Sequence, residues 1–186
     1  SNQIVFFECI HRGFAPPRIK DAISKDGEAY ELDAELSWNY ELGARGQFLS
    51  GVEFEITSFL MNFSNQIIPV SEYIGGVGVG VVNGGRTQHY GVETGFGIYL
   101  NKLFGFNNQL FAKVNTTITK AHFSADRYIT HQGQQLNIKG NVTPYAPELL
   151  ICTSISYESK YGFGMRLAYK YVGEQYTDLL NSIAPS

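Results

Sequence analysis

Between Glu31 and Phe48 apolar and polar positions alternate without a break. Leu32, Ala34, Leu36, Trp38, Tyr40, Leu42, Ala44, Gly46 and Phe48 make one set, and Asp33, Glu35, Ser37, Asn39, Glu41, Gly43, Arg45 and Gln47 make the other. A period of two belongs to a β-strand, whereas a helix needs apolar residues three and four apart. The pattern predicts one long strand with an apolar and a polar face. At about 3.3 Å per residue it would run on the order of 60 Å, against roughly 3–10 residues for a strand in a globular protein. That length suits a strand that crosses a bilayer and continues past it.

The same alternation recurs along the chain. A first strand is expected from Gln3 to His11, with looser alternation. After the long strand and a tight turn at Leu49-Ser50-Gly51, a third places Val52, Phe54, Ile56 and Leu60 opposite in phase to Glu53, Glu55 and Thr57. A fourth, from Tyr90 to Leu100, carries Val92, Thr94, Phe96 and Ile98 against Gly91, Glu93, Gly95 and Gly97. In a fifth, Leu110, Ala112, Val114 and Ile118 alternate with Lys113, Asn115, Thr117 and Thr119, and the pattern decays at Lys120-Ala121-His122, where the strand should leave the apolar zone. A sixth carries Leu149, Ile151, Thr153, Ile155 and Tyr157, and a seventh Phe163, Met165, Leu167, Tyr169 and Tyr171.

The connections alternate too: long (12–30), short (49–51), long (65–89), short (101–108), long (124–147) and short (159–162). In a meander this collects the long loops at one end of the sheet and the tight turns at the other, as in outer-membrane barrels. Arg45, Lys113, Arg166 and Lys170 fall on the polar face, as a wet lumen requires. On the lipid face such a charge near the midplane would cost roughly 2–4 kcal/mol. The expected fold is therefore all-β, an antiparallel up-and-down transmembrane β-barrel segment of about seven strands. Seven strands do not close a bacterial barrel, so residues 1–186 are read as one partial barrel domain, an interior segment of a larger barrel.

Bulk properties agree. The 186 residues carry a net charge of −3, 44% hydrophobic residues and a mean hydropathy of −0.13, weak figures that a half-apolar barrel strand produces. No run of about 18 apolar residues exists to make a transmembrane helix, and the charge gives no reason to expect nucleic acid as a partner. Cys9 and Cys152 lie far apart in predicted strands, without ligand spacing, and read as buried thiols. Ser1-Asn2-Gln3-Ile4 has no basic start and no cleavage site, so it is not a signal peptide.

Several stretches resemble one family. Gly13-Phe14-Ala15-Pro16-Pro17-Arg18 with Lys20-Asp21-Ala22, Glu31 through Gly43, and Phe63-Ser64-Asn65-Gln66-Ile67-Ile68 are similar to segments of TonB-dependent outer-membrane receptors. So are Asn83-Gly84-Gly85-Arg86-Thr87-Gln88-His89-Tyr90-Gly91-Val92-Glu93, Pro144-Tyr145-Ala146-Pro147-Glu148, and Tyr171 through Asp178 with Asn181. Within the family the likeness is to the ferric dicitrate and siderophore receptor type. The resemblance implies a 22-stranded barrel in the bacterial outer membrane, an N-terminal plug domain, TonB as the energy-coupling partner and a ferric chelate as ligand. Iron would be carried as the chelate rather than bound as a cofactor. By that resemblance the plug, the TonB box and the closing strands are expected to lie outside residues 1–186.

Arg12, Arg18, Arg86, His89, Arg127 and His131 lie in or beside the long segments. A receptor for an anionic chelate needs cations and donors there, although loops that face water are polar in any case. Arg86 stands where the second long loop enters the fourth strand, which places it near the lumen mouth. Gly76-Val77-Gly78-Val79-Gly80 lacks the strand–turn–helix setting of a phosphate loop and reads as a loop or small extra hairpin. His11, His89, His122 and His131 have no metal-site spacing. Acids such as Glu53, Glu55 and Glu93 look like ordinary lumen polars, and nothing argues for an enzyme. Two alternatives remain at this stage. A passive, porin-like channel would share the alternation, and a soluble β-sandwich would have to bury the apolar faces in a core.

Overall fold

Residues 3–17, 23, 31–69 and 81–182 are described by the structure, a computed structural model. Its strands, in chain order, are β1 (Gln3–Ala15), β2 (Glu35–Phe48), β3 (Val52–Ser64), β4 (Ile67–Pro69), β5 (Val81–Asn83), β6 (Thr87–Tyr99), β7 (Gln109–Phe123), β8 (Tyr128–His131), β9 (Gln134–Asn137), β10 (Leu149–Glu158) and β11 (Gly164–Val172). One short helix, α1 (Leu100–Phe104), interrupts the turn before β7. Seven long strands pair antiparallel in the order β1-β2-β3-β6-β7-β10-β11. With the loop hairpins β4–β5 and β8–β9 set aside, each strand lies beside its neighbour in sequence, which is the expected meander.

Pairing is unbroken along each strand and sets every side chain's face. Trp38 is 44% exposed and Asn39 is 8% exposed, so consecutive residues of β2 point to opposite sides, as the alternation requires. Through Trp38↔Asn62, Tyr40↔Leu60↔Tyr90 and Leu42↔Ser58↔Val92↔Ile118 one outward face continues across the sheet. It carries Phe6, Leu42, Ile98, Ile118 and Leu167, all exposed. Among the described residues no second layer packs against the strands. Among the described residues the buried apolar ones are Ala121, Phe123, Ile129 and Ile138, and the last three form one cluster at the long-loop end with Leu136, Leu179 and Leu180 packed on it. A sandwich would bury the outward face, and this fold leaves it for lipid.

The two ends are distinct. At the turn end, Tyr99 N–H donates to Gly51 O (2.7 Å) and Lys160 N–H to Asn108 Oδ1 (3.3 Å), and Asn108 Nδ2 donates to Tyr157 Oη (2.9 Å). Gly105 closes α1 in the left-handed conformation, φ 76°, with its N–H on Asn101 O. At the other end, side-chain amides tie the long segments together. Asn83 holds Asp33 and Asn65, and Asn181 holds both backbone groups of Val142. The expected loop centres near Lys20 and Gly80, and the 76–80 glycine run, lie outside the described residues.

Some boundaries differ from those expected. β1 continues to Ala15, because Gly13 and Phe14 still pair with Ser37 and Leu36. β2 begins at Glu35 rather than Glu31. There Asp33 N–H donates to Asn83 Oδ1 and Glu35 Oε1 accepts from Ile67 N–H, so bonds to the β4–β5 hairpin stand in place of a strand ladder. β6 begins at Thr87, and β7 keeps its ladder to Phe123 after its apolar alternation has ended.

Candidate functional site: the lumen wall and the long-loop mouth

Inward positions carry the polar set. Arg45, Lys113, Arg166 and Lys170 stand there, as expected, together with Glu41, Glu53, Glu55, Glu93 and Glu158. The charges are sorted across the wall. Over β2, β3 and β6 five glutamates (Glu35, Glu41, Glu53, Glu55 and Glu93) face one arginine, whereas over β7, β10 and β11 Lys113, Arg166 and Lys170 face Glu158 alone. Toward the turn end this face encloses a trough of about 840 Å³, lined by Arg45, Glu53, Glu55, Glu93, Lys113 and Asn115 among others.

Toward the loops the inward register runs through His11, Asn39, Met61, His89 and Ala121. Asn39 Nδ2 lies 2.7 Å from His11 Nε2, and Cys9 Sγ 3.7 Å from His11 Nδ1. His89 packs edge-on to Phe63, with centroids 5.2 Å apart, and its Nε2 lies 3.2 Å from Thr87 Oγ1. The Thr87 hydroxyl donates to Gln66 Oε1 (3.0 Å), which leaves His89 to donate toward Thr87. Among the described residues no group of three His, Cys, Asp or Glu is placed to hold a metal.

The six residues singled out from the sequence are not brought together. His89 is on the lumen wall. His131 is exposed at the end of the β8–β9 hairpin, opposite Gln134. Arg127 is 7% exposed, with its guanidinium 4.9 Å from the Phe123 ring. It supports the loop cluster from within, beneath a hairpin closed by Asn137. Asn137 also donates to Asp126, and with Lys139 (3.4 Å) it holds that carboxyl below the usual carboxylate range. Arg18 lies outside the described residues.

Arg12 and Arg86 correct an expectation. Arg12 pairs with Trp38 and lies over its ring at 5.6 Å, on the outward face. Ser124 N–H donates to Arg86 O (3.0 Å), one step beyond the Thr87↔Phe123 pair. Arg86 therefore shares the register of Gln88 and Tyr90 and is exposed on the outer side, not at the lumen mouth. Parity carried this information, because Arg86 is an even number of residues from Tyr90. The residues that sequence reasoning passed over are Lys120 and His122 on that same outward face, and Asn39, Gln66 and Thr87 inside.

A single antiparallel sheet with a lipid-facing side, a wet charged side and loops sorted to one end is the wall of an outer-membrane barrel. The profile of the family described as TonB dependent receptor-like, beta-barrel matches residues 10–186, and the chain belongs to that family. Its β-barrel is located in the bacterial outer membrane. The fold is also similar to the crystal structure of the ferric yersiniabactin uptake receptor FyuA from Yersinia pestis, at 20% identity and a TM-score of 0.59, over 98% of this chain. The chain spans 24% of the length of that receptor. No curated protein matches the sequence.

Proposed function

We propose that this sheet is part of the barrel wall of an outer-membrane receptor that takes up a ferric chelate, ferric citrate or a siderophore, with energy supplied by TonB through an N-terminal plug. One observation carries the reading: the charged inward wall opens at one end onto loops that are tied together into a built mouth, in a chain of the TonB-dependent receptor family. Iron is cargo here, delivered inside its chelate. A passive channel needs the alternation but has no need of the plug and TonB that the family reading brings.

Ligand contact is assigned to His89, beside Thr87 and Gln66, and to His131 at the hairpin end, with Arg127 ordering the loop that carries the hairpin. Neutral hydrogen bonds of this kind contribute about 0.5–1.5 kcal/mol, roughly two- to tenfold in affinity. In the complete receptor titrated with ferric citrate, His89→Ala should weaken binding by that factor with the β-sheet circular dichroism unchanged. Lys160→Ala, at the turn end, should leave the affinity as it was. Equal affinity for wild type and His89→Ala would remove His89 from the site. Ion conductance without TonB energy would favour the passive channel instead.

A further inference from the structure

The outward face changes character along β6 and β7. From the turn end the pairs Ile98↔Ala112, Phe96↔Val114 and Val92↔Ile118 are largely apolar. Beyond them come Tyr90↔Lys120, then Gln88↔His122, then Arg86 beside Ser124. Positions two apart on a strand are about 6.6 Å apart, and neighbouring strands about 4.8 Å. Arg86, Lys120 and His122 thus share one patch whose backbone positions span about 14 Å, within reach of the long Arg86 and Lys120 side chains from its two ends. The Tyr90 ring meets His122 edge-on at 5.9 Å, and Gln88 Nε2 donates to Asn62 Oδ1 on β3 (2.9 Å). No Asp or Glu occupies an outward position on β3, β6 or β7. Arg86 and Lys120 make no ion pair among the described residues.

We propose that this patch binds the phosphate of an outer-leaflet lipid headgroup. Arg86 and Lys120 supply the charge, and His122 and Gln88 supply further donors. The patch lies outside the wall, where a ligand in the lumen does not reach, and it is continuous with the lipid-facing band through Val92 and Ile118. Next to it stands the polar layer of the same leaflet, whose phosphates are anionic. Tyr90 marks the boundary, where an amphipathic ring is at home. Guanidinium and phosphate match as a bidentate pair, and lysine contributes a point charge. The inference rests on the outer-membrane barrel alone and does not depend on which chelate is carried.

The complete barrel protein, purified in neutral detergent, is titrated with lipid A carrying two phosphates and with the same lipid dephosphorylated, and binding is read by native mass spectrometry. Wild type should prefer the phosphorylated lipid by at least about tenfold, and the preference should shrink as salt is raised. The triple variant Arg86→Gln, Lys120→Gln, His122→Gln should bind it about thirtyfold more weakly, from roughly 1 kcal/mol for each of the two cations. The swap Arg86→Lys with Lys120→Arg should keep most of the affinity, and Lys160→Gln should keep all of it. Equal binding of the two lipids by wild type would overturn the proposal whether or not the triple variant folds. Full competition by inorganic phosphate at matched concentration would overturn it as well, in favour of a soluble anion.

Discussion

Gly91 shows how closely single residues are fitted on the inward face. It pairs with Phe59 across β3 and β6, and a Cβ built on it would run into the Ile118 carbonyl oxygen and the Phe59 ring. Gly43 relates to the Phe7 ring and the Ile56 carbonyl in the same way. An aromatic ring lies over a glycine of the adjoining strand in both places, shielding backbone that glycine would otherwise leave bare. Gly91→Val should force β6 away from β7 and cost about 1–3 kcal/mol. It would be seen as a lower temperature for loss of the compact, heat-modifiable band on gels. Gly105→Ala has nothing within 4 Å to meet and tests only the left-handed cap, so it should lower that temperature less.

At the scale of a strand, the alternation read from β2 is the alternation found, and its consequence is a depth-dependent tolerance to charge. Leu42 is 65% exposed on the outward face, between Ser58 and Glu8 in the pairing. Leu42→Arg should cost roughly 2–4 kcal/mol of barrel stability in lipid, measured by urea unfolding in vesicles. Gln47→Arg, inward beside Glu53, should cost less than about 1 kcal/mol, and a larger effect there than at Leu42 would reverse the assignment of faces. The outward aromatics also trace an oblique line. Tyr171 connects through the register to Ala44 rather than to Trp38, which is what strands tilted to the membrane normal produce. Decay of the alternation at Lys120 and His122 therefore marks the level at which hydrocarbon ends, and the strand itself goes on to Phe123.

At the scale of the whole sheet, the determining fact is that among the described residues it has no core beneath it and two open edges. Among the described residues β1 pairs only with β2, and β11 only with β10. Unpaired N–H and C=O groups along both edges cannot remain bare in hydrocarbon, so further strands must satisfy them in the closed barrel. Expressed alone, residues 1–186 should associate edge to edge rather than stay monomeric in detergent, which light scattering measures. A stable detergent-soluble monomer would show that the edges can be closed within the chain. Sorting of acids to β2–β6 and bases to β7–β11 gives the inner wall a polarity that no single strand carries.

Most of the fold was legible in the sequence because a strand's period of two is local: Leu36, Trp38, Tyr40 and Leu42 announce one face without reference to anything distant. The order of connection lengths then determined the meander, since a short turn leaves a strand no choice but its neighbour. Tertiary structure decided the rest. Register across strands brought His89 and Asn39 into one row and set Arg86 beside the strand that carries Lys120 and His122, because which side chains meet depends on pairing between segments distant in sequence, whereas the face of each was already given by parity. The β8–β9 hairpin and the burial of Arg127 against Phe123 go with the cluster of Phe123, Ile129 and Ile138 on which Leu179 and Leu180 pack, and helix α1 follows Tyr99, which is tied to Gly51; short polar segments carry no period that would reveal such contacts in advance.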